Sequence, residues 1–205
     1  MLLWDGLHVV DMMVVCESTP RLNAERIRYL ASIHGVSETH IIYDATNGRY
    51  MYDYLPHAVP FVSASSAIGI QSLLASRLKD ECYLRLCDVI RRRGLSISEK
   101  VSSARYHHKS LRQDYSVQME FLDECSVVRF REQIGGRLRL MTKKEMNALL
   151  GKNRSMDLLD PIAMRMYPLL STQFGEELSS TALNSSSTST PGLSLFNIYD
   201  EGSWC

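Results

Sequence analysis

Short apolar runs over Leu2 to Trp4 and Leu7 to Val15, parted by Asp5-Gly6, predict a β-hairpin at the start of the chain. Thr19-Pro20 then supplies a helix cap with proline at the first helical position. Leu22, Ile27, Leu30 and Ile33 give the following helix an apolar face, and Gly35 ends it. His40 to Tyr43 is β-branched and short enough for a strand; it runs into Asp44, a turn at Ala45 to Gly48 and a brief helix over Arg49 to Leu55. Pro60 to Ser63 suits another strand. Ser76 to Arg93 has helical spacing, with Leu78, Cys82, Leu86 and Ile90 facing inward and Gly94 as its stop. Residues 98 to 114 look polar and irregular. Tyr115 to Cys125 predicts a helix burying Val117, Phe121 and Leu122.

Val127 to Arg131 and Arg137 to Met141 flank Gly135-Gly136, a second hairpin signal. Thr142 with Glu145 three residues on makes a capping-box pattern for a helix over Thr142 to Leu150. The following segment sets Asp157 and Asp160 at the mouth of an otherwise apolar helix, three residues apart and so on one face. Two close carboxylates repel unless they protonate or share a cation, and a divalent metal is the usual remedy. Either acid also suits a plain N-cap, with Pro161 tolerated in the first turn. From about Gly175 the text LSSTALNSSSTSTPG buries too little apolar surface to offset chain entropy, which predicts one domain over 1 to 174 and a disordered tail over 175 to 205.

The chain has 205 residues, with 23 Lys plus Arg against 23 Asp plus Glu, so no global basic field announces a nucleic acid; any such partner is held by local patches or metal. The five cysteines, Cys16, Cys82, Cys87, Cys125 and Cys205, form no CxxC pair and no zinc spacing, which predicts reduced, intracellular thiols. No apolar run approaches the roughly 18 residues of a membrane span, so no membrane is expected.

In order and spacing, three pieces resemble the C-terminal nuclease domain of the large terminase subunit of tailed bacteriophages, a branch of the RNase H-like nucleases. IIYDATNGRYMYDYL is similar to that family's strand ending in an acid, and LKDECYLRLCDVIRRRGLSI to its central helix. RFREQIGGRLRLMTKKEMNALLGKNRSMDLLDPIAM is similar to its closing hairpin, lysine-bearing turn and serine-X-Asp-X-X-Asp helix start.

The resemblance implies an α/β, RNase H-like mixed sheet flanked by helices, with a β-hairpin near the active site. It implies a metal-dependent endonuclease cutting concatemeric double-stranded DNA, with one or two Mg²⁺ or Mn²⁺ ions held by Asp44, Asp157 and Asp160 as catalytic ligands. On residues alone, Asp44 is equally the start of an Asx turn. Implied partners are an ATPase domain, the portal and the small terminase subunit, in the cytoplasm of an infected bacterial host or encoded by a prophage. The family's first-strand Asp and its GxxxxGK[ST] loop are not found; Asp5 and Asp11 are the only early substitutes and neither matches the motif, so the chain reads as a fragment that is weak or inactive by itself. Lys143 and Lys144, with Arg137 and Arg139 on alternate positions of one strand, are the candidate DNA contacts. Alternatives are a Holliday-junction resolvase or transposase-like nuclease, and a non-catalytic DNA- or portal-binding assembly module.

Overall fold

The computed structural model describes residues 1–15, 19–46, 51–108, 111–133, 135–151 and 154–170, and the backbone of 193–197. Strands β1 (Leu2–Asp5) and β2 (His8–Met12) pair antiparallel around Gly6, whose φ of +56° is the left-handed conformation the tight turn needs. Helix α1 (Pro20–Ile33) starts as its sequence dictates: the Leu22 N–H donates to the Thr19 hydroxyl at 3.3 Å. Then follow β3 (Ile41–Asp44), β4 (Val59–Phe61), α2 (Leu78–Arg91), β5 (Ser96–Ile97) and α3 (Glu99–Ser102). A hairpin of β6 (Arg105–His108) and β7 (Gln113–Ser116) leads into α4 (Val117–Val127). A second hairpin, β8 (Phe130–Glu132) and β9 (Leu138–Leu140), precedes α5 (Lys143–Leu150) and α6 (Leu159–Met164). The last strand is β10 (Leu193–Asn197).

The main sheet has the order β4-β3-β10-β1-β2-β5 and is mixed: β10 runs antiparallel to β1 and parallel to β3. Side chains alternate across a strand, so Leu2 and Trp4 enter one face and Leu3 the other. Leu2, Trp4, Val9, Ile42 and Phe61 join α2, α4 and α6 in the larger core, whereas Leu3, Ile41 and Tyr43 join Ile27, Leu30 and Ala31 of α1 in the smaller. Helices on both faces explain why β1 and β3 are apolar almost throughout. This is the mixed α/β architecture the sequence implied.

Several expectations shift. The polar stretch over 98 to 114 holds α3, β6 and the first half of β7 rather than irregular chain. The helix expected from Tyr115 begins at Val117, because the Ser116 hydroxyl accepts from the Met119 N–H at 3.2 Å and leaves Tyr115 on β7. Leu122 and Ile90, expected inside, are 58% and 38% exposed. The expected helix over Arg49 to Leu55 falls partly outside the described residues, and 51–54 form turns. The expectation of disorder beyond 175 falls mostly outside the described residues too, but 193–197 are among them and form a strand. It lies between β1 and β3 in the middle of the sheet.

Candidate active site

Asp160 is the second residue of α6, and Asp157 lies in the turn before it. Lys79 and Tyr83, one turn apart on α2, both reach Asp160: the lysine Nζ is 2.8 Å from Oδ1, and the tyrosine hydroxyl donates to the same oxygen at 2.5 Å. Lys143 opens α5, and its Nζ is 3.3 Å from Asp157 Oδ1. Burial acts to raise the Asp160 carboxyl, but the charges of Lys79 and then Lys143, with hydrogen bonds from Lys79 and Tyr83, outweigh it and hold the group below the usual carboxylate range. Tyr83 moves the other way. Its burial, then the neighbouring Asp160 charge, push the phenol well above its ordinary value, so it is a fixed donor.

Neither aspartate caps the helix in the manner the sequence allowed. The N-cap position is Leu158, which has no capping side chain, and the first N–H groups go instead to α4. The Leu158 and Leu159 N–H groups donate to the two oxygens of Glu124 at 3.1 and 2.5 Å. On the same helix, Glu120 and Asp123 receive Arg154 at 3.1 and 2.7 Å. Tyr106 also donates to Glu120, at 3.0 Å. Burial, then the charge of Glu120, raise the Glu124 carboxyl well above its ordinary value, opposed by those two N–H groups. Helix α2 supports the other side of the site in a similar way. Asp80 takes Arg77 and the Leu140 N–H of β9, and Glu81 takes the Ile68 and Gly69 N–H groups. Gly69 has no room for a side chain, since a Cβ would stand 3.0 Å from both Glu81 Oε1 and the Leu170 carbonyl.

Asp44 stands at the C-terminal end of β3, and its Oδ1 accepts from the Thr46 N–H at 2.8 Å, the Asx turn that its residue type allowed; the Asn47-Gly48 turn lies outside the described residues. The contacts thus gather Asp157, Asp160, Lys79, Tyr83 and Lys143, while Asp44 keeps a partner of its own. Carboxylate oxygens suit a hard divalent cation. Among the described residues, however, no group of three His, Cys, Asp or Glu side chains is placed to hold one, so these acids do not complete a metal site by themselves. Of the early acids, Asp11 is taken by Lys100 at 2.9 Å.

Lys144, Arg137 and Arg139 are exposed, and Arg139 stands opposite Arg131 across the β8–β9 pair. Arg131 is drawn off to Glu145 at 2.8 Å, the residue that closes the capping box with Thr142. Lys143 differs from its neighbour: it is half-buried and turned to Asp157. The sequence reading missed Lys79 and Tyr83. Their i, i+4 spacing on an amphipathic helix was the available signal, a cation and a phenol stacked on one face.

The fold corresponds to a known class of domain. Over 78% of this chain and 79% of the other, the structure is similar to a lysine-to-alanine mutant of the nuclease domain of the large terminase subunit gp2 of bacterial virus Sf6, solved with manganese (TM-score 0.57, 18% identity). The same mutant domain with calcium gives 0.56 at 18% identity, covering 78% of each chain. The nuclease domain of gp2 without a stated metal gives 0.57 at 17%, again over 78% of each. No protein-family model and no curated protein matches the sequence. The likeness is one of fold, that of a terminase large-subunit nuclease domain. Among the described residues no helix is long and apolar enough to cross a membrane.

Proposed function

We propose that this chain is a metal-dependent DNA endonuclease module of a phage genome-packaging terminase, cutting concatemeric double-stranded DNA. The observation that carries the reading is the pairing of Asp157 and Asp160 at the start of α6 with Lys79 and Lys143 on two other helices, in a fold like that of the Sf6 nuclease domain. Asp44, at the end of a central strand, is the proposed third acid. A bound Mg²⁺ or Mn²⁺ would supply an activated water and charge stabilisation on the phosphodiester. The chain's own residues do the rest. Lys79 and Lys143 favour the ionised form of Asp160, Lys143 also pairs with Asp157, and the Tyr83 hydroxyl holds Asp160. Lys144, Arg137 and Arg139 attract the DNA backbone without reading its sequence. The proposed partners are double-stranded DNA, an ATPase domain, the portal and the small terminase subunit, in the cytoplasm of an infected bacterium.

A second reading has one observation in its favour: the described acids gather lysines and not a third ligand, as in a DNA- or portal-binding module without catalysis. Plasmid nicking with Mn²⁺, run on this chain and on Asp160→Asn and Asp44→Asn, decides between them. Nicking that needs both acids supports the endonuclease. DNA binding without nicking, unaltered by either change, supports the binding module.

A further inference from the structure

Segment 154–159 carries Asp157 and leads directly into Asp160, yet its own local structure offers little to fix it. Helix α6 has six residues, and its N-cap is a leucine with no side-chain hydrogen bond to give. Short helices are marginal without outside support. That support comes from one face of α4, where Glu120, Asp123 and Glu124 all point at the segment. Arg154, at its start, is forked between Glu120 and Asp123. Leu158 and Leu159, between the two aspartates, give both N–H groups to Glu124. Glu124 and Glu120 are 0% and 1% exposed, and carboxylates this deep are costly unless each oxygen finds a donor.

We propose that Glu124 is a positioning residue of the acid site: its carboxylate fixes the peptide between Asp157 and Asp160 and so sets the direction of both side chains. Among the described residues, Glu124 takes the N–H groups of Leu158 and Leu159, which both lie between the two acids. These bonds also cap α6, and it is their place, on the peptides that join the two acids, that makes the cap a positioning contact. The Arg154 fork holds the segment's other end, so the two anchors stop it from turning about either one. Lys79 and Lys143 then meet their acids from α2 and α5. This inference rests on the cation-binding reading of Asp157 and Asp160.

The test compares the full chain with Glu124→Ala and Glu124→Gln, and with Leu30→Ala as a control that weakens the separate core under α1. Hydrogen exchange at the Leu158 and Leu159 amides is followed beside Mn²⁺ affinity measured by electron paramagnetic resonance. Glu124→Ala is expected to speed exchange at those two amides and to weaken Mn²⁺ binding by about 10–100-fold, as lost outer partners of ligands do. Glu124→Gln keeps one acceptor oxygen but turns an NH2 towards the second N–H, so it restores only part of both. Leu30→Ala lowers the melting temperature without moving the Mn²⁺ affinity. Faster exchange with unchanged affinity in Glu124→Ala overturns the proposal, as does unchanged exchange. A wild-type chain that binds no Mn²⁺ overturns the cation-binding reading instead, and the exchange result still reports on the anchor. Should Glu124→Ala fail to fold, Glu124→Gln decides: a loss of Mn²⁺ affinity with faster exchange at the Leu159 amide supports the positioning role, and an affinity as unmoved as that of Leu30→Ala removes it.

Discussion

Lys79 Nζ of α2 lies 2.8 Å from Asp160 Oδ1 of α6, so a cation of the chain itself already occupies the acid that a metal would need. Both side chains are partly screened, at 24% and 15% exposure, so the pair is weaker than a fully buried one. Replacing Lys79 by Met leaves Asp160 with Tyr83 and the more distant Lys143. Such a variant should lose roughly 1–3 kcal/mol of stability without metal, the range for a hydrogen bond to a charged group. Added Mn²⁺ should return more stability to it than to the wild type, because a ligand stabilises in proportion to its affinity for the folded state. Thermal unfolding with and without Mn²⁺ measures both effects. Equal Mn²⁺ shifts in the two proteins would show that Lys79 does not compete with a cation.

The basic residues divide into two kinds. Lys144, Arg137 and Arg139 are exposed at the hairpin and the start of α5, while Lys143 is turned to Asp157. Neutralising one phosphate contact removes about 0.9 units of log–log salt slope. Replacing the three exposed residues by Ala should therefore flatten the salt dependence of DNA binding, whereas Lys143→Ala should leave the slope nearly unchanged. Fluorescence anisotropy over a salt series on duplex DNA checks this. A loss of slope confined to Lys143→Ala would reverse the assignment.

Much of this was legible because local signals and burial agreed. The Thr19 cap, the Thr142–Glu145 box and the Gly135-Gly136 turn each act through adjacent residues and appear as expected. The β6–β7 hairpin was not legible, since Tyr115 and His108 alone carry its buried side and the alternation is drowned by exposed Arg105, Gln113 and Asp114. The site was half legible. Asp157 and Asp160 stood out by spacing, but their lysine partners lie 14 and 81 residues away in sequence, and no local pattern reveals such a contact. Nor did the acids of α4 stand out: nothing local marks Glu120 and Glu124, and only the tertiary structure turns them inward onto Arg154, Leu158 and Leu159.

The α4 clamp has a signature in acid. Burial acts to raise the Asp123 carboxyl, but hydrogen bonds from Tyr115 and Arg154 outweigh it and hold the group below its ordinary value. A depressed carboxyl contributes stability that is present above the unfolded pKa, near 3.9, and lost as the pH falls through the folded one. Asp123→Asn should thus be less stable than wild type at neutral pH, with the gap closing below about pH 4. Urea unfolding over a pH series measures the gap. A gap that persists undiminished in acid would mean that the charge of Asp123 is not what holds Arg154.

The placement of β10 makes a demand on the whole sheet. It pairs with β1 from Leu2↔Phe196 to Asp5↔Leu193 and with β3 from Leu195↔Ile41 to Asn197↔Tyr43, so both of its edges are occupied. Removing it leaves β1 and β3 with facing unpaired N–H and C=O groups in the middle of a sheet whose two faces are covered by helices. A chain ending at residue 170 should therefore unfold at lower urea and with a smaller slope than the full chain, because less surface is buried in its native state. An open slot between two strands also binds an added strand through main-chain hydrogen bonds. A peptide of residues 191–205 supplied in excess should restore much of the lost stability, and a version with Pro in place of Leu195 should not, since proline removes a ladder donor. Identical unfolding curves for the short and full chains would show that the sheet is complete without β10, and that β1 and β3 close on each other or on another segment.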